Sequence, residues 1–382
     1  MKNTVKKWIA SGNMPLLALI GCAKRLSDVC AGKYFSFIIL IFLAFVFCHC
    51  SKNGELQRIP VVSHLYKIED IPIEDFVSSV RKVQLETNDS ILVSKIYKIF
   101  ETTDFFIVMH LFRISVFDKE GRYLHDISHR GQGPHEFNAI SSIFIKDNLF
   151  YLYDVSHREV SIFTLGGDFV RSFSIEKYYD FIFPLQNNDY VAFQTNISGK
   201  EKAKLIFFDE SGGADTIFYN KEYEKAENVL FIFDMEGYVY NYDDRDYFKE
   251  LYNDTLFAIQ PNYTLVPRLT FDLGGYQPSL ERKHTLTDVN YGWEDMAHLS
   301  IIGETNSYLF FNILNNLKTH TYYWDKHRKS LHNVRFVYPK SYGYEGSFVP
   351  KAISENKQNL ISIEYDTIGD NNPTIIIATL KE

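Results

Sequence analysis

The residues best equipped for chemistry crowd one loop, His129-Arg130-Gly131-Gln132-Gly133-Pro134-His135-Glu136-Phe137. Two imidazoles, a guanidinium and a carboxylate this close together could hold a ligand or assist a metal ion. The same loop also has a structural reading. Gly131 and Gly133 allow a tight path, Pro134 fixes it, and Arg130 pairs with Glu136 or a neighbouring carbonyl. His125, His129 and His135 lack the spacing of a zinc motif.

A second group mixes aromatics with acids. Tyr238, Tyr240, Tyr242 and Tyr247 surround Asp243, Asp244 and Asp246, and Tyr291-Gly292-Trp293-Glu294-Asp295 repeats the mixture. Aromatic faces beside carboxylates suit sugar or peptide binding, which makes Tyr291, Trp293, Asp243 and Asp246 candidate contacts. Strand aromatics and solvated loop acids are the structural alternative. Asp243-Asp244-Arg245-Asp246 offers hard oxygen ligands to Ca²⁺ but lacks the spacing of a calcium loop. The body contains no nucleophile elbow, zincin helix or P-loop. It therefore yields no catalytic residue, no metal ligand and no firm cofactor.

Hairpins must position these groups. Phe117-Asp118-Lys119-Glu120-Gly121, Phe163-Thr164-Leu165-Gly166-Gly167 and Phe208-Asp209-Glu210-Ser211-Gly212 each close an apolar run with glycine. They recur about every 45 residues. Asp104-Phe105-Phe106, Asn148-Leu149-Phe150 and Asp189-Tyr190-Val191 run ahead of them with a similar period. Four short strands per repeat is the mark of a propeller blade, whereas a plain sandwich has no reason to hold a long fixed period. The 32 Phe and 26 Tyr also favour pleated, half-buried surfaces.

The sequence thus predicts an all-β fold, a six-bladed β-propeller of four-stranded antiparallel blades. The blades fall at about 91–127, 138–175, 178–219, 226–273, 297–337 and 346 to the end. The stretch 81–86 is expected to pair with the strand at 374–380, closing the ring and removing exposed edges. Residues 51–80 read as a lead-in linker, 81–382 as the propeller domain, and 274–296 as an inserted loop or short helix.

The net charge is −8, and all but one of the acids lie after residue 50, so the body is strongly acidic. Nucleic-acid phosphates repel such a body. All four cysteines, Cys22, Cys30, Cys48 and Cys50, lie within residues 1–50. The body therefore has no disulfide and no thiolate metal site.

Residues 35–47 form an apolar run too short to span a bilayer comfortably and suited to a signal-peptide core. The run ends at Cys48-His49-Cys50, and polar sequence follows. That arrangement resembles a bacterial lipoprotein signal, in which the cysteine becomes the acylated first residue of the mature chain. Residues 1–50 then form the signal. Cys50 is the expected lipidation site because polar sequence starts directly after it, with Cys48 next. Leu19-Ile20-Gly21-Cys22 matches the usual lipobox better, but cleavage there would leave the apolar run exposed. The true start is expected near Gly32-Lys33, with the residues before it an extension. An uncleaved membrane anchor at 35–48 is the alternative.

Three stretches resemble one family. Gly131-Gln132-Gly133-Pro134-His135-Glu136-Phe137 resembles the G-x-G-P-x-E-[FY] signature of six-bladed β-propeller lipoproteins of Gram-negative gut bacteria, relatives of NHL-repeat propellers. Asn253-Asp254-Thr255-Leu256-Phe257 is similar to that family's N-D-T-[VI]-Y element, and Asn372-Pro373-Thr374-Ile375-Ile376-Ile377 to its closing strand. The likeness covers roughly residues 60–382 in the expected order. His135 stands where the family more often has glycine. The resemblance implies a propeller held in the cell envelope, outer-membrane and periplasmic or surface-facing, by a lipid anchor. It implies little about chemistry.

The functional expectation is a non-enzymatic envelope lipoprotein whose propeller is a platform for a protein or glycan partner. Loops 129–137 and 274–296 would supply the contacts. The alternative is a metal-dependent hydrolase or lyase working at the channel mouth. A purely structural or assembly role is the third possibility.

Overall fold

The computed structural model describes residues 56–222, 236–285, 295–339, 346–366 and 371–381. Cys22, Cys48, Cys50, Tyr291 and Trp293 lie outside them. The body is a ring of six antiparallel blades. Blade one is Ile96–Glu101, Phe105–His110, Arg113–Asp118 and Tyr123–His129, close to the span 91–127 expected from sequence. Blade two runs from Ile140–Lys146 to Phe169–Ser174, and blade three from Phe181–Pro184 to Ala214–Tyr219. Blade four runs from Gly237–Tyr242 to Leu265–Phe271, and blade five from His298–Glu304 to Ser330–Val337.

Blade six mixes the two ends of the chain. Ala352–Ile353, Asn359–Glu364 and Thr374–Leu380 form its inner strands, and Val77–Gln84 pairs antiparallel with Thr374–Leu380 as the outermost. The expected ring closure is therefore present.

The lead-in departs from its reading as a linker. Gln57–Ile59 pairs in parallel with Leu265–Phe271 of blade four, and Ile68–Pro72 with Ser330–Val337 of blade five. Residues 57–84 thus form a belt that supplies the outer strand to three successive blades. The physical reason is edge protection: an unpaired outer strand is a template for aggregation. The belt is also apolar inward, since Ile59, Val61, Leu65, Ile73, Val77 and Val83 are all buried.

The sequence repeat is a repeat of turn chemistry. In blade one, Asp118 Oδ1 accepts from the amides of Glu120 and Arg122, and Gly121 turns at φ +87°. Thr164 and Asp209 play the same part in blades two and three, with Gly167 at φ +92° and Gly212 at φ +81°. Only glycine enters that region without strain.

Among the described residues the core divides into six clusters, one in each gap between blades. Alternation along a strand feeds alternate gaps. Phe106 and Val108 pack between blades six and one, while Ile107 between them packs between blades one and two. Both faces of each inner strand are covered, so these strands read as continuous apolar runs.

Polar ties join neighbouring blades. Lys98 Nζ donates to the Ile143 carbonyl at 2.8 Å, Ser142 Oγ to the Ile182 carbonyl at 2.6 Å, and Lys204 Nζ to Glu250 at 2.7 Å. Asn312 Nδ2 reaches the Pro350 carbonyl at 3.3 Å, and Asn359 Nδ2 reaches Glu101 at 3.0 Å. Burial pushes the Lys98 ammonium down to about 8.

Candidate functional site

Antiparallel blades sort their connections to two ends. Links between second and third strands, and between one blade and the next, share an end. The connections 85–95, 130–139 and 194–202 all lie there. The opposite end carries tighter turns such as 147–148 and 243–244. Gln57 pairs with Leu269 in parallel, so the chain enters the propeller from the turn-bearing end.

The 129–137 loop is at the loop-bearing end and is braced by its own residues. Glu136 Oε2 accepts from the Gly133 amide at 2.6 Å, and Glu136 Oε1 lies 2.9 Å from His129 Nε2. A Cβ on Gly131 would fall 1.8 Å from the Glu136 carboxylate, so glycine makes room for it. His135 takes φ +64°, and its ring stacks on Phe169 with centroids 3.7 Å apart. Of the two partners expected for Arg130, Glu136 or a neighbouring carbonyl, the Glu136 carboxylate is taken by another residue. His129 takes the carboxylate, and Arg130 lies over the Phe112 ring at 5.2 Å.

That contact leads to a feature missed in the sequence. His110-Leu111-Phe112-Arg113 is a two-residue hairpin turn with Leu111 at φ +24°. Leu111 and Phe112 are 53 % and 45 % exposed. Tight turns of this kind normally take Gly or Asn, so an apolar pair here was the available signal. The turn is held from beneath. His110 Nε2 and Ser115 Oγ lie 2.8 Å apart, Ser115 Oγ donates to Asp126 at 2.7 Å, and Arg113 Nε donates to Asp126 at 2.6 Å. Burial drives the His110 imidazole down to about 4, so it is neutral at physiological pH. This is no hydrolytic triad: the serine proton goes to aspartate, and His110 and Ser115 are sealed in the blade.

The same ties join neighbouring loops into one patch. Arg113 Nη1 donates to the Ser90 carbonyl at 3.0 Å, and the Arg130 amide to the Phe112 carbonyl at 2.8 Å. The Ile96 amide donates to the Tyr365 hydroxyl at 3.1 Å. Leu92, Tyr97 and Tyr365, on the segments tied together in this way, are exposed, as are Leu111 and Phe112. Arg130 lies over Phe112 among them.

The inserted connection is anchored at the same end. Its helix Leu280–Thr285 buries Lys283, whose Nζ lies 2.6 and 2.8 Å from the two oxygens of buried Glu236. The Tyr252 hydroxyl donates to Glu236 at 3.2 Å. Burial and the adjacent Glu236 charge push the Tyr252 phenol far up.

The acidic candidates separate. Asp243 and Asp244, both at φ +52°, form the exposed turn joining Gly237–Tyr242 to Arg245–Glu250. Asp246 is buried, with Oδ2 accepting from the Gln186 amide at 2.7 Å and Oδ1 lacking a hydrogen-bond partner. The Ca²⁺ set imagined from sequence is therefore split between water and the core. Among the described residues no group of three His, Cys, Asp or Glu side chains could hold a metal ion.

Burial raises the Asp246 carboxyl above its usual range. A raised folded-state pKa means stability is lost as pH rises from the unfolded-state value through the folded one. Asp246→Asn is therefore expected to raise Tm near pH 7. The gain should fade as pH falls through the ordinary aspartate value of about 3.9. Melting curves across that range check this, and an equal Tm difference at both ends would contradict it.

A family profile described as a domain of unknown function, DUF4934, matches residues 56–375. The chain belongs to that family. The match begins where the belt begins, so family membership includes the outer strands. No curated protein matches the sequence. A Bacteroides fragilis protein assigned to export shares the fold with TM-score 0.62 and 16 % identity, over 85 % of this chain and 99 % of that one. A DUF4221-family protein from Bacteroides vulgatus does so with TM-score 0.52 and 11 % identity, over 80 % and 97 %. Identities this low carry architecture and not chemistry. Among the described residues no helix is long and apolar enough to cross a membrane.

Proposed function

We propose that this chain is a non-enzymatic, exported binding platform that holds a polypeptide partner on the patch around Leu111 and Phe112. The observation that carries the reading is an apolar pair displayed on a strained turn. Leucine at φ +24° costs backbone energy that glycine would spare, and strain of this kind collects at functional positions. Aliphatic, aromatic and arginine side chains on a rigid base suit a protein contact better than a sugar, which has no use for Leu92 and Leu111. The exported neighbour supports an envelope location. Acylation at Cys50 would tether the chain.

Leu111→Gly tests the reading because it separates binding from folding. Glycine relieves the turn, so Tm should hold or rise, while recovery of the wild-type partner from detergent-solubilised envelopes should fall about tenfold. Unchanged recovery, or equal glycan-array binding by both proteins, would remove the patch from the account. A palmitate-analogue label surviving Cys50→Ala would remove the tether.

A further inference from the structure

At the opposite end, between blades four and five, a cleft of about 130 Å³ is lined by Arg268, Lys326, Glu304, Leu309, Trp324 and Gln57. Two cations there share one carboxylate. Arg268 grips buried Glu304 with Nη1 at 2.7 Å and Nη2 at 2.5 Å, and Lys326 Nζ stands 2.5 Å from the same group. The Tyr240 hydroxyl donates a further bond to Glu304 at 3.0 Å. Glu304 is thus fully used, and the cleft keeps a surplus of one positive charge. Asp243 also acts on Lys326, but from an exposed turn where water screens it.

The donor inventory agrees. Arg268 spends its two terminal nitrogens on Glu304, and its Nε–H makes no hydrogen bond among the described residues. Lys326 gives one proton to Glu304 and one to the Thr305 carbonyl, which leaves a third. Rings fix both cations: Arg268 lies 4.3 Å from the Tyr247 centroid, and Lys326 lies 4.1 Å from the Tyr242 centroid. The remaining wall, Leu309 and Trp324, is apolar and buried. A surplus charge held beside an apolar wall and only partly open to water is matched by a monoanion with a short hydrocarbon body.

We propose that this cleft is a binding subsite for a small organic monocarboxylate, held by Arg268 Nε and Lys326 Nζ with its carbon chain on Leu309 and Trp324. The surplus of one charge disfavours a phosphate dianion. A cavity of this size accommodates a body of roughly six to eight heavy atoms, on the scale of benzene in a comparable apolar cavity.

Butanoate is the probe, butan-1-ol its neutral counterpart, and inorganic phosphate the competing anion, all at fixed ionic strength. Trp324 reports directly once Trp8→Phe and Trp293→Phe leave it the sole tryptophan. A saturable fluorescence change with butanoate in the millimolar range is expected, with none for butan-1-ol and a weaker one for phosphate. Lys326→Met, which keeps length and loses charge, should weaken binding at least about tenfold. Gln57→Glu adds a negative charge at the rim of the belt, leaves the core untouched, and should weaken it comparably. It decides the matter if Lys326→Met fails to fold. No saturable change, an equal response to butan-1-ol, tighter binding of phosphate, or unchanged binding in the folded variants overturns the proposal.

Discussion

Lys283→Met is expected to destabilise the propeller by about 3–5 kcal/mol, a fall in Tm of roughly 5–10 °C. Lys283 and Glu236 are both buried, and the pair closes at 2.6 Å. Two charges this deep roughly cancel their own desolvation, so the intact pair adds little net stability. Removing Lys283 deprives the buried Glu236 carboxylate of that ammonium, while the Tyr252 hydroxyl still donates to it. Protonating Glu236 relieves that state, so the deficit should shrink in acid. The double variant Lys283→Met/Glu236→Leu should recover most of the loss, since a matched apolar pair restores what a broken ionic pair cannot. Chemical denaturation of the three proteins checks this. A single variant within about 0.5 kcal/mol of wild type would show that water reaches the pair and that the helix Leu280–Thr285 is not pinned by it.

Deleting residues 57–84 should abolish cooperative folding. Six fully buried apolar side chains leave with the belt. At about 1.5–3 kcal/mol each, their loss is on the order of 10 kcal/mol, comparable to the entire stability of a domain. Three consecutive blades would also expose the strands Leu265–Phe271, Ser330–Val337 and Thr374–Leu380 as open edges. The expected outcome is soluble aggregate or precipitate with no sharp thermal transition. Deleting only 57–72 keeps Val77–Gln84 and with it the closed ring, so that protein should still melt cooperatively at a lower temperature. Circular dichroism melts and size-exclusion chromatography of the two deletions separate edge cover from ring closure. A native-like melt after the larger deletion would mean that the ring closes without its outer strand.

The two results rest on opposite kinds of knowledge. The propeller was legible because blade building is local. Asp118, Thr164 and Asp209 each cap a turn that ends in a positive-φ glycine, and turn chemistry of that kind is written in a handful of consecutive residues. Apolar runs between the turns mark strands covered on both faces, and the long period leaves a ring as the natural arrangement. Closure by the first and last strands follows from the need to hide edges. The 129–137 loop was likewise visible through its glycines and proline, although its internal partner was not: Arg130 and His129 both lie within reach of Glu136 in sequence, and only the path of the chain selects His129.

Relations between blades were not legible, because no local rule fixes which side chains meet across a gap. Residues 57–72 carry no hairpin partner of their own, so a polar, proline-bearing lead-in read as linker until parallel pairing with distant strands gave it a place. Asp243 and Asp246 are nearly adjacent in sequence, yet strand alternation and a two-residue turn send one to water and the other into the core. Arg268 meets Glu304 and Lys326 because blades four and five are wedged face to face, and Lys283 meets Glu236 because the helix after blade four returns to the residue just before that blade's first strand. Sequence by itself determined the repeating module and its count, since hydrophobic periodicity and turn residues act over a few bonds. The tertiary structure alone decided where charge is buried and which loops form one surface, since those depend on the packing of elements far apart in the chain.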